Sequence, residues 1–340
     1  MQENNMKNLI QQNKSDETLN VLKNADSSLE TYMLQGNTHY DLSQYEEAIN
    51  YYSKVIELDK NNIKAYNNRG NSKGCLGQLD EAIKDYDKAI EINPEYADAY
   101  FNRGYVKYLQ KNILPAIADY NRAIELNPQN YMAYNNRGNA KNYLKEYNDA
   151  LADFDKSLEI NNHHNTYFNR ALTNEYLNDY ESAILDYTNA LEIKPNDIQA
   201  LKKRAFANNK IENYKNAEED YKNILNINKN DVEAIVSLGM IKHKTNNDDE
   251  AFELYTKAIE IDEEYADAYI NRSIVASKLG NYNTAEKDLE KMFTFDIFRN
   301  DYLSTYNEIR EIVSEKDDEE SKEFLNRLQE LSTRIKSKHS

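Results

Sequence analysis

The chain has 340 residues and a formal net charge of −17, which argues against general binding to nucleic-acid phosphates or to anionic membranes. No stretch approaches the roughly 18 apolar residues of a membrane-spanning helix. Its single cysteine, Cys75, excludes an intrachain disulfide and gives no sign of an oxidising compartment. Since the first residues also lack the apolar stretch of a signal peptide, we expect a cytoplasmic protein with neither nucleic-acid nor membrane partners.

Residues 1–28 are polar. They predict a flexible segment, or at most one short helix from Asp16 to Lys23.

From residue 29 to residue 299 the sequence repeats. Gly70, Gly104 and Gly138 in the string Asn-Arg-Gly follow one another at intervals of 34 residues. In this register the repeats are 29–62, 63–96, 97–130, 131–163, 164–197, 198–231, 232–265 and 266–299. We number the positions within each repeat from its first residue.

Each repeat combines small and large residues at fixed positions. Position 4 is aromatic or aliphatic and shares a helical face with positions 8 and 11. Position 20 is Ala throughout, position 24 is Tyr or Phe in seven repeats, and position 8 is small: Gly36, Gly70, Gly104, Gly138, Ala171, Ala205, Gly239 and Ser273. The pattern predicts two closely packed helices with a large side chain in the groove that small residues leave.

This pattern resembles the tetratricopeptide repeat, a helix–turn–helix unit of 34 residues. The resemblance implies an all-α, right-handed superhelical solenoid of eight repeats without a sheet. One helix pair cannot bury its apolar face alone, so stacking has to supply the core. Residues 300–340 are expected to cap it with two amphipathic helices, Asp301–Val313 and Asp318–Ile335.

The arginines at position 7 vary together with position 23. Six repeats have Arg at position 7 and Asp at position 23, whereas the other two have Gln35 with Tyr51 and Leu238 with Leu254. We therefore interpret the arginines as structural partners of an Asp in the same repeat, rather than as anion ligands. The predicted pairs are Arg69 with Asp85, Arg103 with Asp119, Arg137 with Asp153, Arg170 with Asp186, Arg204 with Asp220, and Arg272 with Asp288.

Asparagine recurs on the opposite face of the first helix, which lines the peptide-binding groove in the family that the repeats resemble. Asn side chains can bond the N–H and C=O groups of an extended chain. The predicted ladder has Asn68, Asn102, Asn136, Asn169 and Asn271 at position 6 and Asn37, Asn71 and Asn139 at position 9, with Tyr105 beside it. The alternative is compositional bias, because Asn is abundant throughout.

The later repeats carry lysines on the same face. Lys210, Lys244 and Lys278 recur at position 13, and Lys202 lies at position 5. We call these four lysines the lysine wall. On an acidic protein, a basic surface of this kind favours a partner with an acidic segment or a terminal carboxylate. The alternative is that these lysines form an ordinary solvated surface.

The sequence contains no phosphate-binding glycine loop, no metal-protease helix motif and no nucleophile elbow. The adjacent His163 and His164 lack a third metal ligand, so no metal or cofactor is expected. We predict a non-catalytic scaffold that binds an extended peptide or a partner protein in its concave groove. The alternative is a structural or assembly subunit that uses its convex face or its ends. The partner's identity and the oligomeric state stay open.

Overall fold

The computed structural model describes residues 27–292, 295, 299–316 and 318–338. In this part the chain forms 18 α-helices and no strand. In chain order they are α1 (Leu29–Asp41), α2 (Tyr45–Leu58), α3 (Ile63–Cys75), α4 (Leu79–Ile92), α5 (Ala97–Leu109), α6 (Ile113–Leu126), α7 (Tyr131–Tyr143), α8 (Tyr147–Ile160), α9 (His164–Tyr176), α10 (Tyr180–Ile193), α11 (Ile198–Lys210), α12 (Tyr214–Ile227), α13 (Val232–Lys244), α14 (Asp248–Ile261), α15 (Ala266–Leu279), α16 (Tyr282–Met292), α17 (Arg299–Ser314) and α18 (Glu319–Lys338).

The predicted all-α fold of repeated helix pairs with C-terminal capping helices is confirmed. The helix predicted from Asp16 to Lys23 lies outside the described residues. None of the described helices is long and apolar enough to cross a membrane. The chain divides into two compact units, residues 1–177 with α1–α9 and residues 178–340 with α10–α18.

Side-chain caps fix the start of many first helices. The residue before the helix accepts a hydrogen bond from a backbone N–H of the first turn at Ser28, Asn62, Asn130, Asp197 and Asp231. Such caps satisfy N–H groups that have no partner within the helix. The residue that precedes each of these repeats therefore starts its first helix.

The close approach of the two helices depends on the glycine at position 8. A Cβ atom added to Gly70 would lie 2.7 Å from the ring of Tyr86, and one added to Gly138 would lie 2.7 Å from Phe154. Both rings are almost completely buried. The large residue at position 24 occupies the space that the missing side chain leaves.

The second unit ends in a hydrophobic cluster formed by α15–α18. Tyr282 of α16 stacks on Phe324 of α18 with ring centroids 4.5 Å apart, and Ile309 and Val313 of α17 are fully buried. Lys316 Nζ donates to the Ser277 carbonyl at the end of α15, at 3.2 Å. The two C-terminal helices thus cover the apolar surface that the last repeat would otherwise expose.

The turn within each repeat places position 15 in the left-handed region. Only two of these residues are glycines, Gly77 and Gly280. The others have φ between 58° and 65° and are Ser43, Lys111, Lys145, Asn178, Glu212 and Asn246. A side chain in this region costs about 1–2 kcal/mol, less for Asn.

Lys145→Gly is therefore expected to stabilise the protein by about 0.5–1 kcal/mol, because relief of the left-handed strain exceeds the entropic cost of glycine. Thermal unfolding followed by circular dichroism measures the effect. Asn246→Gly is the matched control and should gain less, since Asn tolerates this conformation. Equal or lower stability of Lys145→Gly would contradict the strain argument.

Candidate functional site

In five repeats the arginine at position 7 joins three helices. Arg69 of α3 donates from Nε and Nη2 to the two carboxylate oxygens of Asp85 on α4, at 2.9 and 2.7 Å. Its Nη1 donates to Ser53 Oγ on α2, in the preceding repeat, at 3.0 Å. The guanidinium carbon also lies 5.5 Å from the ring centroid of Tyr66. All three guanidinium nitrogens thus bond to the scaffold.

The structure brings five of the six predicted pairs together. The same two-bond geometry joins Arg103 to Asp119, Arg137 to Asp153, Arg204 to Asp220, and Arg272 to Asp288. In the sixth predicted pair, Arg170 belongs to the first unit and Asp186 to the second. That pair stays a prediction.

The bond to the preceding repeat was missed by the sequence reasoning. It reaches position 25, where the acceptors are Ser53, Asp87, Asn121, Asp155, Thr188 and Thr256. The signal was present in the sequence, because Lys222 occupies position 25 before Leu238, which replaces the arginine. An acceptor at position 25 has no use where the arginine is absent.

A second cation at position 11 was also missed. Lys73, Lys107 and Lys141 lie 2.7–2.8 Å from the same carboxylates as the arginines of their repeats. In the sixth and eighth repeats, which have the Arg–Asp pair, position 11 is Asn208 or Ala276, so among the described residues the arginine is the one cation that pairs with Asp220 or Asp288. Burial raises the pKa of both carboxyl groups against the opposing effect of the arginine.

Several asparagines of the first unit bond to one another across the repeats. Asn102 Nδ2 donates to Asn67 Oδ1 at 3.0 Å, and Asn169 Nδ2 donates to Asn135 Oδ1 at 3.0 Å. Asn68 Nδ2 donates to Asn37 Oδ1 at 3.2 Å. Position 5 was not predicted to take part in these links. Four of the predicted ladder residues, Asn37, Asn68, Asn102 and Asn169, therefore connect neighbouring first helices.

The hydrogen bonding of the asparagine at position 9 depends on whether the residue at position 24 has a hydroxyl group. Asn37 and Asn71 accept hydrogen bonds from the hydroxyls of Tyr52 and Tyr86, at 2.9 and 2.8 Å. The fourth repeat has Phe154 at position 24, which has no hydroxyl group. In the part of the chain that the structure describes, no side chain hydrogen bonds to Asn139, so its carboxamide can serve a ligand.

A cavity of about 490 Å³ opens on this face of the first unit. Tyr105 and Leu109 line it and are 47% and 45% exposed. Cys75 also lines it, with its sulfur 3.7 Å from the Tyr40 hydroxyl. Tyr143, 53% exposed, lies at position 13 of the next repeat. Exposed aromatic and aliphatic side chains beside a concave surface are typical of a binding site.

Two of the four predicted groove lysines are engaged with acids. Lys202 Nζ lies 3.1 Å from Asp231 and 2.5 Å from Glu233, and Lys278 Nζ lies 2.8 Å from Asp248. Burial raises the pKa of Asp248, but Lys278 and His243 more than offset it, so the pKa lies below its ordinary value.

The other predicted residues of the second unit are mostly engaged with polar or aromatic groups. Lys244 donates to Asn209 Oδ1 at 3.1 Å, and Lys210 Nζ lies 5.2 Å from the ring centroid of Phe206. Neither lysine has a carboxylate partner among the described residues. Asn271 donates to the Asp267 carbonyl at 2.7 Å. The lysine wall therefore offers a ligand less unpaired positive charge than its four lysines suggest.

Residues 27–292, 295, 299–316 and 318–338 contain no group of three or more His, Cys, Asp or Glu side chains that could hold a metal ion. Several carboxylates of the second helices pair with an exposed Lys of the same helix, namely Glu81 with Lys84, Glu91 with Lys88 and Glu159 with Lys156.

Family models match the chain over most of the repeats. A TPR repeat model matches residues 36–73 and 76–111. Tetratricopeptide repeat models match 97–130, 131–164, 164–197, 232–265 and 254–287, and together these matches cover more than half of the chain. The protein belongs to the tetratricopeptide repeat family. No curated protein sequence matches it significantly.

Several solved structures of tetratricopeptide repeat proteins are similar. A tetratricopeptide repeat protein from Parabacteroides merdae ATCC 43184 is 18% identical with a TM-score of 0.50, over 73% of this chain and 98% of that one. YrrB, described as a TPR protein with an unusual peptide-binding site, is 23% identical with a TM-score of 0.49, over 54% and 95%. MamA is 25% identical with a TM-score of 0.43, over 48% and 90%. The first of these shows the shared fold.

The scaffold role of the arginines can be tested by comparing two repeats. Arg204→Ala leaves buried Asp220 without a cation and should cost about 3–5 kcal/mol of unfolding free energy. Arg137→Ala should cost less, because Lys141 still neutralises Asp153. Urea unfolding followed by circular dichroism gives both values.

The two variants should also differ in their response to pH. The penalty in Arg204→Ala exists while Asp220 is ionised, so it should shrink as the pH is lowered from 7 through the raised pKa of this carboxyl group. Arg137→Ala should change less over this range. Equal costs and equal pH responses would show that the second cation does not matter.

Proposed function

We propose that the protein is a non-catalytic scaffold that binds an extended peptide segment of a partner protein along the first-helix face of its first unit. The observation that carries this proposal is the cavity lined by Tyr105, Leu109, Phe101 and Cys75. Its volume of about 490 Å³ is sufficient for a few side chains of a bound peptide. Membership of the tetratricopeptide repeat family supports a protein-interaction role.

Two kinds of contact are available to such a peptide. Exposed Tyr105, Leu109 and Tyr143 can receive its apolar side chains, and aromatic anchors usually supply most of the binding energy at an interface. An extended backbone also needs hydrogen-bond partners for its N–H and C=O groups. Asn139 provides a donor and an acceptor on one side chain.

The role of the asparagine ladder is narrower in this proposal than the sequence suggested. Asn68, Asn102 and Asn169 donate to neighbouring asparagines, so their replacement would weaken the stacking of repeats together with any binding. Tyr105 and Leu109 are half exposed and give a cleaner test of the groove.

The test is a pull-down from a lysate of the source cells with Tyr105→Ala/Leu109→Ala beside the wild type. We expect the double variant to lose a partner that the wild type retains, because the apolar anchors are removed. Leu114→Ser is the matched control, since Leu114 is 67% exposed on the second helix α6. Circular dichroism checks that all three proteins are folded.

The contact is then located with a peptide from the retained partner. Cys75 is the single cysteine of the chain and lines the cavity, so a bound peptide should slow its alkylation at least about ten-fold. Retention of the partner by the double variant, with its loss in Leu114→Ser, would favour the convex face instead.

A further inference from the structure

The groove floor of the second to fourth repeats is free of formal charge. We define the neutral floor as positions 5, 6, 9, 12 and 13 of these repeats. Its residues are Asn67, Asn68, Asn71, Gly74, Cys75, Phe101, Asn102, Tyr105, Tyr108, Leu109, Asn135, Asn136, Asn139, Asn142 and Tyr143. It contains no Asp, Glu, Lys, Arg or His, although 30% of the chain is charged.

The fold does not impose this neutrality. The same positions of the sixth to eighth repeats carry Lys202, Lys203, Lys210, Lys244 and Lys278, and also His243. Charged side chains are thus compatible with these positions of a first helix. The absence of charge is a property of this groove rather than of the repeat architecture.

The cationic side chains on the same first helices are paired with aspartates of the second helices, away from the neutral floor. Lys73, Lys107 and Lys141 are held within 2.8 Å of buried aspartates on the second helices. The arginines at position 7 of these repeats bind the same aspartates. At the rim, Lys111 Nζ lies 5.5 Å from the ring centroid of Tyr143. The neutral floor therefore has little counter-charge to offer a ligand.

This distribution discriminates against charged ligand side chains. A carboxylate or an ammonium group that enters the cavity loses hydration and meets no opposite charge, which costs free energy. Asp41 lines a neighbouring cavity at the first-repeat end, together with Asn37 and Asn68, and there it would repel an acidic side chain and attract a basic one. It does not line the cavity with Tyr105 and Leu109, where an ammonium group meets no carboxylate. An amide or apolar side chain loses less hydration and can bond to Asn139 or pack on Tyr105 and Leu109.

We infer that the groove of the first unit selects an extended segment without charged residues, built from amide, hydroxyl and apolar side chains. This inference rests on the proposed function and names the class of its partner. It differs from the acidic segment that the lysines of the later repeats suggested. Discrimination comes from the cost of an unpaired charge rather than from an attractive charge pair.

The experiment selects random peptides of about 12 residues displayed on phage against the full-length protein. The enriched peptides should be depleted in Asp, Glu, Lys and Arg relative to the starting library. In solution, an enriched peptide should slow the alkylation of Cys75. Placing one Glu or one Lys in its centre should weaken binding at least about ten-fold.

Asn139→Asp is the decisive protein variant, because it adds a charge of nearly the same shape without removing a described hydrogen bond. It should weaken binding of the neutral peptide and enrich peptides with Lys or Arg. Asn148→Asp is the control, since Asn148 is exposed on the second helix α8 and should leave the selection unchanged.

The outcomes separate the two proposals. Peptides that protect Cys75 but carry Asp or Glu as often as the library would overturn the selection of neutral segments and leave groove binding standing. Enriched peptides that never protect Cys75, or no enrichment at all, would overturn groove binding itself.

Discussion

The guanidinium group at position 7 is the interaction on which the stacking of the repeats depends. One side chain holds the Asp of its own second helix through two hydrogen bonds and reaches the second helix of the preceding repeat through a third, as Arg103 does with Asp119 and Asp87. A planar group with fixed donor directions fixes the geometry of three helices at once. The missing side chain at Gly104 lets the same helices approach.

Because these contacts occupy one face of each first helix, the other face is available to a ligand. The first unit covers that face with asparagines and aromatic residues, and part of the asparagine set also serves the scaffold, as in the bond from Asn102 to Asn67. The same face can therefore stabilise the stack and line a groove. Only side chains without an internal partner, such as Asn139, and exposed anchors, such as Tyr105, are fully available for recognition.

Much of the scaffold could be predicted from the sequence, because eight copies of one unit allow comparison within a single chain. The joint replacement of Arg and Asp at Leu238 and Leu254 predicted the pairing that Arg69 and Asp85 adopt. The candidate site was less predictable. A recurring Asn at position 6 indicates a shared face, but it does not say whether the carboxamide bonds to a neighbour or points to a ligand.

The sequence by itself determined the helix pairs, their period and their small-to-large packing, since these follow from local periodicity and from residue volumes that recur in every repeat. Only the tertiary structure decided where the hydrogen-bond donors go. Asn68 reaches Asn37 across the repeat boundary, and Lys202 is neutralised by Asp231 and Glu233. Such partners depend on distances between helices of different repeats, to which the pattern within one repeat is insensitive.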